Sequence, residues 1–167
     1  MAEAFNSRVL AGGKAERYAE TAAEIAAVLE GEPDRTARMA TVAAMLHQAF
    51  APRFFWTGFY VVDPAREREL VVGPYQGTLG CLRIAFGRGV CGTAAATGEI
   101  QLVPDVESFP GHIACDSRSA SEIVVPVRDA SGALIAVFDV DATMPAAFDT
   151  DDQEALERLM GKVFAAG

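Results

Sequence analysis

The sequence predicts an α+β fold in which helices flank an antiparallel β-sheet. Two helical segments come first, β-rich segments follow, and a last helical segment closes the chain. The β-rich segments are joined in pairs by short turns, at Asp63-Pro64 and at 130–132, and such hairpin connections give antiparallel pairing. One domain usually takes about 150 residues, so we expect residues 1–167 to form a single domain.

The first two elements are predicted to form a helical hairpin over about residues 15–50. Residues 15–30 and 34–50 both carry apolar side chains at the spacing of an amphipathic helix. The segment Gly31-Glu32-Pro33 separates the two helices, because glycine and proline interrupt helical structure. The apolar positions include Tyr18, Ala22, Ile25, Val28, Leu29, Met39, Val42, Met45 and Leu46.

The sheet and its loops are predicted to extend over about residues 54–141. Aromatic and β-branched residues, which strands favour, mark the longer strands. A helix is expected near Gly89, and a C-terminal helix over about 150–165 with Asp149 or Thr150 as its N-cap. The predicted strands are FFWTGFYVVD (54–63), ELVVG (69–73), short strands near 82–86 and 100–103, EIVVPVRD (122–129) and ALIAVFDVD (133–141).

Composition and charge exclude several classes of protein. Hydrophobic residues make up 51% and charged residues 22%, so the chain can bury a core and lacks the signature of disorder. The net charge of −9 would repel nucleic acids and anionic membranes. No segment approaches the roughly 18 apolar residues of a spanning helix, and the N-terminus lacks the pattern of a signal peptide. We therefore expect a cytoplasmic protein without nucleic acid or membrane partners.

Three cysteines stand in irregular, glycine-rich or polar segments of the sequence. Cys81 and Cys91 lie within residues 73–98, and Cys115 lies within 104–120. An odd number cannot pair completely within one chain, so free, metal-binding and redox-active thiols are all open. A single cysteine is most often an inert, small hydrophobic residue, but long irregular loops are more often functional than accidental. Three cysteines in such loops therefore point to chemistry.

The surroundings of two cysteines favour a thiolate. Cys91 stands where a glycine-rich turn enters a predicted helix, and the free amides of a helix N-terminus stabilise an anion. Cys115 has His112 three residues before it and Arg118 three residues after it, and both can favour its anion, whereas Asp116 opposes it. A zinc site made of the three cysteines and His112 is disfavoured because no C-x-x-C pair is present, and we expect no metal.

Two acidic residues end the last predicted strand. Alternation places Asp139 and Asp141 on one face, with Phe138 and Val140 on the other. The two aspartates are either solvated where the strand leaves the core, or they line a pocket in which burial and mutual repulsion raise a carboxyl pKa. Glu122 opens the neighbouring strand and could join them. Three acids in one cavity would suit a ligand that carries an ammonium group.

The segment WTGFY supplies a second candidate pocket wall. Trp56 and Tyr60 share one face of the predicted strand, with Gly58 between them. Such rings most often pack in the core, but they can also hold a small apolar or thioether group through sulfur and methyl contacts. Both interpretations are compatible with the sequence.

The central part of the chain resembles the free methionine-(R)-sulfoxide reductases, which are single GAF domains. The resemblance rests on GPYQGTLGCLRIAFGRGVCGTAAATGE, on DVESFPGHIACDSRSASEIVVPV and on VFDVDAT. It extends from about Phe55 to the C-terminal helix, and all three cysteines fall within the motifs. The implied fold is a GAF-like antiparallel sheet flanked by helices.

The resemblance implies reduction of free L-methionine-(R)-sulfoxide to L-methionine. Cys115 would be the nucleophile and Cys81 the resolving thiol, forming a disulfide that thioredoxin reduces. Cys91 would either pair with Cys115 in some states or shape the turn, together with Val90, whose amides face the ligand. The implied substrate site comprises an acidic cluster of Glu122, Asp139 and Asp141 and an aromatic wall of Trp56 and Tyr60.

No cofactor is implied, and the resemblance leaves the oligomeric state open, although related GAF domains often form homodimers through helices like the first and last here. A non-catalytic GAF sensor for a small molecule is the alternative function. A sensor is usually one module of a longer signalling protein, and we expect no output domain here, which favours the reductase. The two functions differ in what they require of Cys115.

Overall fold

The computed structural model describes residues 12–165. Its elements are α1 (Lys14–Val28), α2 (Arg35–Phe50), β1 (Trp56–Val62), β2 (Glu69–Gln76), β3 (Arg83–Ala85), α3 (Gly89–Thr97), β4 (Gln101–Val103), a 3-10 turn (Val106–Ser108), β5 (Ser121–Arg128), β6 (Leu134–Ala142), α4 (Thr150–Met160) and a π turn (Gly161–Ala165). Within this described range, no helix is both long and apolar enough to span a bilayer.

The six strands form one sheet in the order β3-β2-β1-β6-β5-β4, and every neighbouring pair is antiparallel. One face packs against α2 and α4, on which α1 packs in turn, and the other face packs against α3. The predicted α+β class, an antiparallel sheet flanked by helices, is confirmed.

Alternation along β6 divides its side chains between the two faces. Phe138 and Val140 enter the core that α1, α2 and α4 cover, whereas Val137 belongs to the core beside α3. Asp139 and Asp141 line a pocket on the α3 side of the sheet. The predicted division of this strand is therefore confirmed, and the aspartates are not solvated at a strand end.

The main difference from the predicted elements is the length of β2. The sequence predicts this strand over 69–73, because glycine and proline then follow. The strand instead continues through Pro74 to Gln76. Tyr75 pairs with Gly58 of β1, where a side chain on Gly58 would overlap Tyr75. The extension thus depends on a glycine in the partner strand, which the sequence of β2 itself does not reveal.

A buried ionic network joins α1 to α4. Asp152 is fully buried and accepts hydrogen bonds from Tyr18 Oη at 2.7 Å, Arg53 Nη2 at 3.0 Å and Lys14 Nζ at 3.1 Å. The Arg53 guanidinium also lies 5.4 Å from the centre of the Phe50 ring. The carboxylate of Asp152 is therefore stabilised by two cations and a hydroxyl in the absence of water.

We expect the Asp152→Ala variant to lose about 3 kcal/mol of unfolding free energy, because it leaves the Arg53 and Lys14 cations without their buried partner. Urea denaturation measures this change. The matched control is Asp151→Ala, which removes an exposed carboxylate from the same helical turn and should cost only a few tenths of a kcal/mol. Equal losses in the two variants would show that the network contributes nothing specific.

Candidate active site

A small pocket lies between α3, the paired ends of β5 and β6, and the loop at 111–119. Its cavity measures about 40 Å³, which is room for a few water molecules. The pocket brings together most of the residues that the sequence analysis singled out on separate elements, but Cys81 and Arg118 are not part of its wall. Its wall includes Trp56, Tyr60, Gly80, Val90, Cys91, His112, Cys115, Glu122, Asp139 and Asp141.

A disulfide joins Cys81 to Cys115 beside this pocket. Their Cα atoms lie 5.5 Å apart, although the two residues are 34 positions apart in the sequence. The bond ties the loop before β3 to the loop before β5. Cys91 is the free cysteine of the described residues and is buried. The zinc site weighed from the sequence thus loses two of its four ligands to the disulfide.

Three carboxyl groups meet on the pocket wall. Glu122 on β5 lies directly opposite Asp141 on β6, and Asp139 follows on the same face. Burial raises the pKa of all three carboxyl groups well above the usual range, and repulsion from a neighbouring carboxylate raises each one further. Burial therefore favours the protonated form of these carboxyl groups, from which they can donate a proton.

One atom of this cluster lacks a partner. Asp139 is 5% exposed, and its Oδ1 is buried without a hydrogen bond to any described residue. A buried oxygen in this position is costly unless a donor reaches it. The pocket therefore favours a ligand that brings hydrogen-bond donors to the acids.

Cys91 stands in the first turn of α3, as predicted, but its electrostatic surroundings differ from the expectation. Its Sγ lies 3.9 Å from Glu122 Oε1. Burial and the negative charges of Asp139 and Glu122 raise the pKa of the Cys91 thiol well above its usual value. The amides of the helix N-terminus do not offset these effects, so the predicted thiolate at Cys91 is wrong for this structure.

The predicted aromatic wall of Trp56 and Tyr60 lines the pocket, and a third ring stacks behind it outside the pocket lining. The Trp56 and Tyr60 ring centres lie 5.5 Å apart at 15°, and the Tyr75 ring centre lies 5.1 Å from that of Trp56. Trp56 Nε1 donates a hydrogen bond to the carbonyl oxygen of Thr78 at 3.0 Å. Tyr75 was missed in the sequence because β2 was predicted to end before it.

The two predicted cationic neighbours of Cys115 have other partners. Arg118 donates to Asp116 at 2.7 and 3.0 Å, and this ion pair lowers the pKa of Asp116 well below its usual value. His112 Nε2 lies 3.7 Å from Glu122 Oε2, and burial lowers the pKa of the imidazole, which favours its neutral form. In this disulfide form the Arg118 guanidinium is paired with Asp116, and its support of a Cys115 anion in the reduced protein stays a prediction.

Comparison with known proteins identifies the fold family. The family model described as GAF domain matches residues 15–166. The free methionine-R-sulfoxide reductase of Escherichia coli is 43% identical over 68% of this chain and 67% of its own length. The reductase of Neisseria meningitidis, solved in complex with its substrate, is 46% identical with a TM-score of 0.87, over 93% of this chain and 90% of that one.

The chain belongs to the GAF domain family, among the free methionine-R-sulfoxide reductases. A structure of a candidate GAF sensor protein from Burkholderia vietnamiensis is also similar, at 48% identity and a TM-score of 0.85 over 93% of this chain and 95% of that one. The solved structures that are similar to this chain thus include one named as a reductase and one named as a candidate sensor.

In this GAF domain, the site combines groups for thiol chemistry with groups for proton transfer. The Cys81–Cys115 pair can be reduced to two thiols, of which one can attack and the other can resolve. The buried carboxyl groups hold protons next to the same cavity. A pocket that only binds a ligand would need neither a disulfide at its edge nor carboxyl groups that can donate protons.

Proposed function

We propose that this GAF domain, a single domain over residues 1–167, reduces free L-methionine-(R)-sulfoxide to L-methionine. The observation that supports this function most directly is the Cys81–Cys115 disulfide at the edge of a pocket lined by buried acids. A disulfide in this position is the expected product of one reductive turnover. The Trp56 and Tyr60 rings in the wall of the same pocket suit the methyl-sulfinyl end of the substrate.

The reaction begins when the Cys115 thiolate attacks the sulfinyl sulfur. A carboxyl group of the acidic cluster donates its proton to the sulfoxide oxygen. The oxygen is transferred to Cys115 as a sulfenic acid, and methionine is released. The Cys81 thiol then attacks the Cys115 sulfur, which forms the disulfide and releases water. The two electrons that reduce the sulfoxide thus come from the two cysteine sulfurs, which end oxidised as the Cys81–Cys115 disulfide.

The same acids bind the substrate as an amino acid. Asp139 Oδ1 lacks a donor among the described residues, and an ammonium group supplies N–H donors whose positive charge favours the ionised form of this carboxyl group. Glu122 and Asp141 share the binding and proton-donating tasks with Asp139. Val90 and Cys91 contribute backbone amides from the first turn of α3, where amides have no helical partner.

The reaction requires a reductant and a compartment in which thiols stay reduced. We assign thioredoxin as the reductant and the cytoplasm as the compartment, because each turnover ends with Cys81 and Cys115 oxidised. A homodimer through α1 and α4 is compatible with this scheme, since both helices lie on the sheet face away from the pocket.

A non-catalytic sensor is the second candidate function. The similar Burkholderia structure, named as a candidate GAF sensor protein, favours it. The disulfide and the raised carboxyl pKa values favour the reductase, because ligand binding alone uses neither.

Counting thiols distinguishes the two functions. The fully reduced protein is mixed with free L-methionine-(R)-sulfoxide without reductant, and we expect two of its three thiols to disappear per chain. The control ligand is N-acetyl-L-methionine-(R)-sulfoxide, whose nitrogen is an amide and cannot pair with the acids as an ammonium group. We expect it to react at least about 100-fold more slowly, because a buried acid is left unpaired.

Unchanged thiols with the free amino acid would exclude the reductase. Equal rates with both ligands would contradict the assignment of the acids to the ammonium group but would leave the thiol chemistry in place.

A further inference from the structure

Exposed apolar side chains lie on the two loops that the disulfide joins, and two of them, Leu79 and Ile113, also line the pocket. Among the described residues, three of the five large hydrophobic side chains that are exposed belong to the two loops joined by this bond. Leu79 and Leu82 flank Cys81 and are 75% and 69% exposed, and Ile113 precedes Cys115 by two residues. We refer to Leu79, Leu82 and Ile113 as the collar. An apolar cluster at one functional bond marks an interaction surface more strongly than scattered exposed residues do.

The loop that carries Leu79 and Leu82 packs on the aromatic wall of the pocket. A Cβ on Gly80 would lie only 2.9 Å from Tyr60 Oη and 3.0 Å from Trp56 Cζ2, so the backbone there rests directly on the aromatic wall. The carbonyl oxygen of Thr78 accepts a hydrogen bond from Trp56, and the Thr78 hydroxyl donates to Asp116 at 2.8 Å. The collar is thus presented on an anchored backbone, which reduces the entropy lost on binding.

Most of the charges around the collar are paired within the chain. Arg83 lies next to Leu82 and pairs with Glu69 at 2.8 Å, and Arg118 pairs with Asp116 at 2.7 Å. Arg88, at the edge of the pocket, is exposed and forms no ion pair with the described residues. An apolar centre with a polar and largely neutral rim is typical of a protein interface, whereas an anionic lipid surface would require a cluster of unpaired cations.

We propose that the collar is the docking surface for a protein dithiol reductant that reopens the Cys81–Cys115 bond. The proposal rests on the proposed function, which requires this bond to be reduced after each turnover. A small thiol needs no apolar surface to reach an accessible disulfide, whereas a protein must place its attacking sulfur in contact with the bond and bury the surface around it. The collar provides that surface on both of the loops that the bond joins.

The reduction proceeds through a mixed disulfide. A thiolate of the reductant attacks the Cys81 sulfur, between the two leucines, and the bond to Cys115 breaks so that Cys115 leaves as a thiolate. The second thiol of the reductant loses its proton and attacks the mixed disulfide, which releases Cys81 with that proton. The reductant ends as a disulfide, and its two electrons leave Cys81 and Cys115 reduced.

The test compares Leu82→Ser with Val28→Ser. Leu82 does not line the pocket, and Val28, on α1, is an exposed apolar residue far from the disulfide. Turnover of free methionine-(R)-sulfoxide is measured with thioredoxin, thioredoxin reductase and NADPH, and again with dithiothreitol. We expect Leu82→Ser to raise the KM for thioredoxin about tenfold, the effect of truncating a central interface side chain, with unchanged dithiothreitol-supported turnover. Val28→Ser should match the wild type in both assays.

Three other outcomes would reject the docking surface. An equal loss with both reductants would mean that Leu82 acts on the site or on folding, and no loss with either would mean that the collar is not used. A change in oligomeric state for Leu82→Ser would make the collar an interface between copies of this chain. Absence of turnover in the wild type with dithiothreitol would instead refute the proposed function.

Discussion

The Cys115→Ser variant is expected to lose at least about 10³-fold in turnover of free L-methionine-(R)-sulfoxide. A serine hydroxyl is not ionised near neutral pH, and it cannot accept the sulfoxide oxygen to form a sulfenic acid. The acids and the aromatic wall do not depend on this sulfur, so the variant should still bind the substrate. Methionine formed in the presence of dithiothreitol measures turnover, and calorimetry measures binding.

Cys91→Ser is the matched control, because it removes a thiol from the same pocket without touching the disulfide. Its raised pKa makes Cys91 a poor nucleophile, and we expect turnover within about tenfold of the wild type. Full activity of Cys115→Ser, or a larger loss in Cys91→Ser than in Cys115→Ser, would show that the nucleophile is assigned to the wrong cysteine.

The sequence predicts the elements of this site better than their connections. Alternation in ALIAVFDVD places Asp139 and Asp141 on one face, and this local rule holds in the sheet. Facing Glu122 against Asp141 needs the register of two strands, which the short turn between them restricts. Elements whose pattern is local are therefore predicted well.

The disulfide and the ion pairs of the loops cannot be predicted from a local sequence pattern. Three cysteines allow three possible pairs, and spacing does not select Cys81 with Cys115; only the resemblance implies it. Arg118 can reach either the Cys115 sulfur or Asp116, and the loop conformation decides for Asp116. Cys91 likewise has helix amides on one side and carboxyl groups on the other, and the balance depends on burial. Such competition between neighbours is settled only by tertiary structure.

We expect Glu122→Gln, a substitution in the acidic cluster, to lower activity and to raise stability. Glu122→Gln keeps the shape of the protonated side chain but removes its acidity. We expect turnover to fall about 10²- to 10³-fold, which is the usual contribution of a general acid. The wild-type rate should fall as pH rises and the raised carboxyl groups lose their protons, and the Gln variant should lose much of that dependence.

Stability should change in the other direction. Because the pKa of Glu122 is raised in the folded protein, the folded state binds more protons than the unfolded state above about pH 4, where an unfolded glutamate titrates. The stability that comes from this group is complete below that pH and is lost as pH rises through the folded pKa. Glutamine has no such loss, so the variant should match the wild type near pH 4 and exceed it by at least about 1 kcal/mol at pH 8.

Urea denaturation at the two pH values measures the difference, and Glu154→Gln, an exposed glutamate on α4, is the control. It should leave both stability and turnover unchanged, because its carboxylate is solvated in both states. A Glu122→Gln variant that is less stable than the wild type at pH 8 would mean that Glu122 is charged and paired in the folded protein. The acid that donates the proton would then have to be Asp139 or Asp141, and the same measurement on Asp139→Asn and Asp141→Asn would identify it.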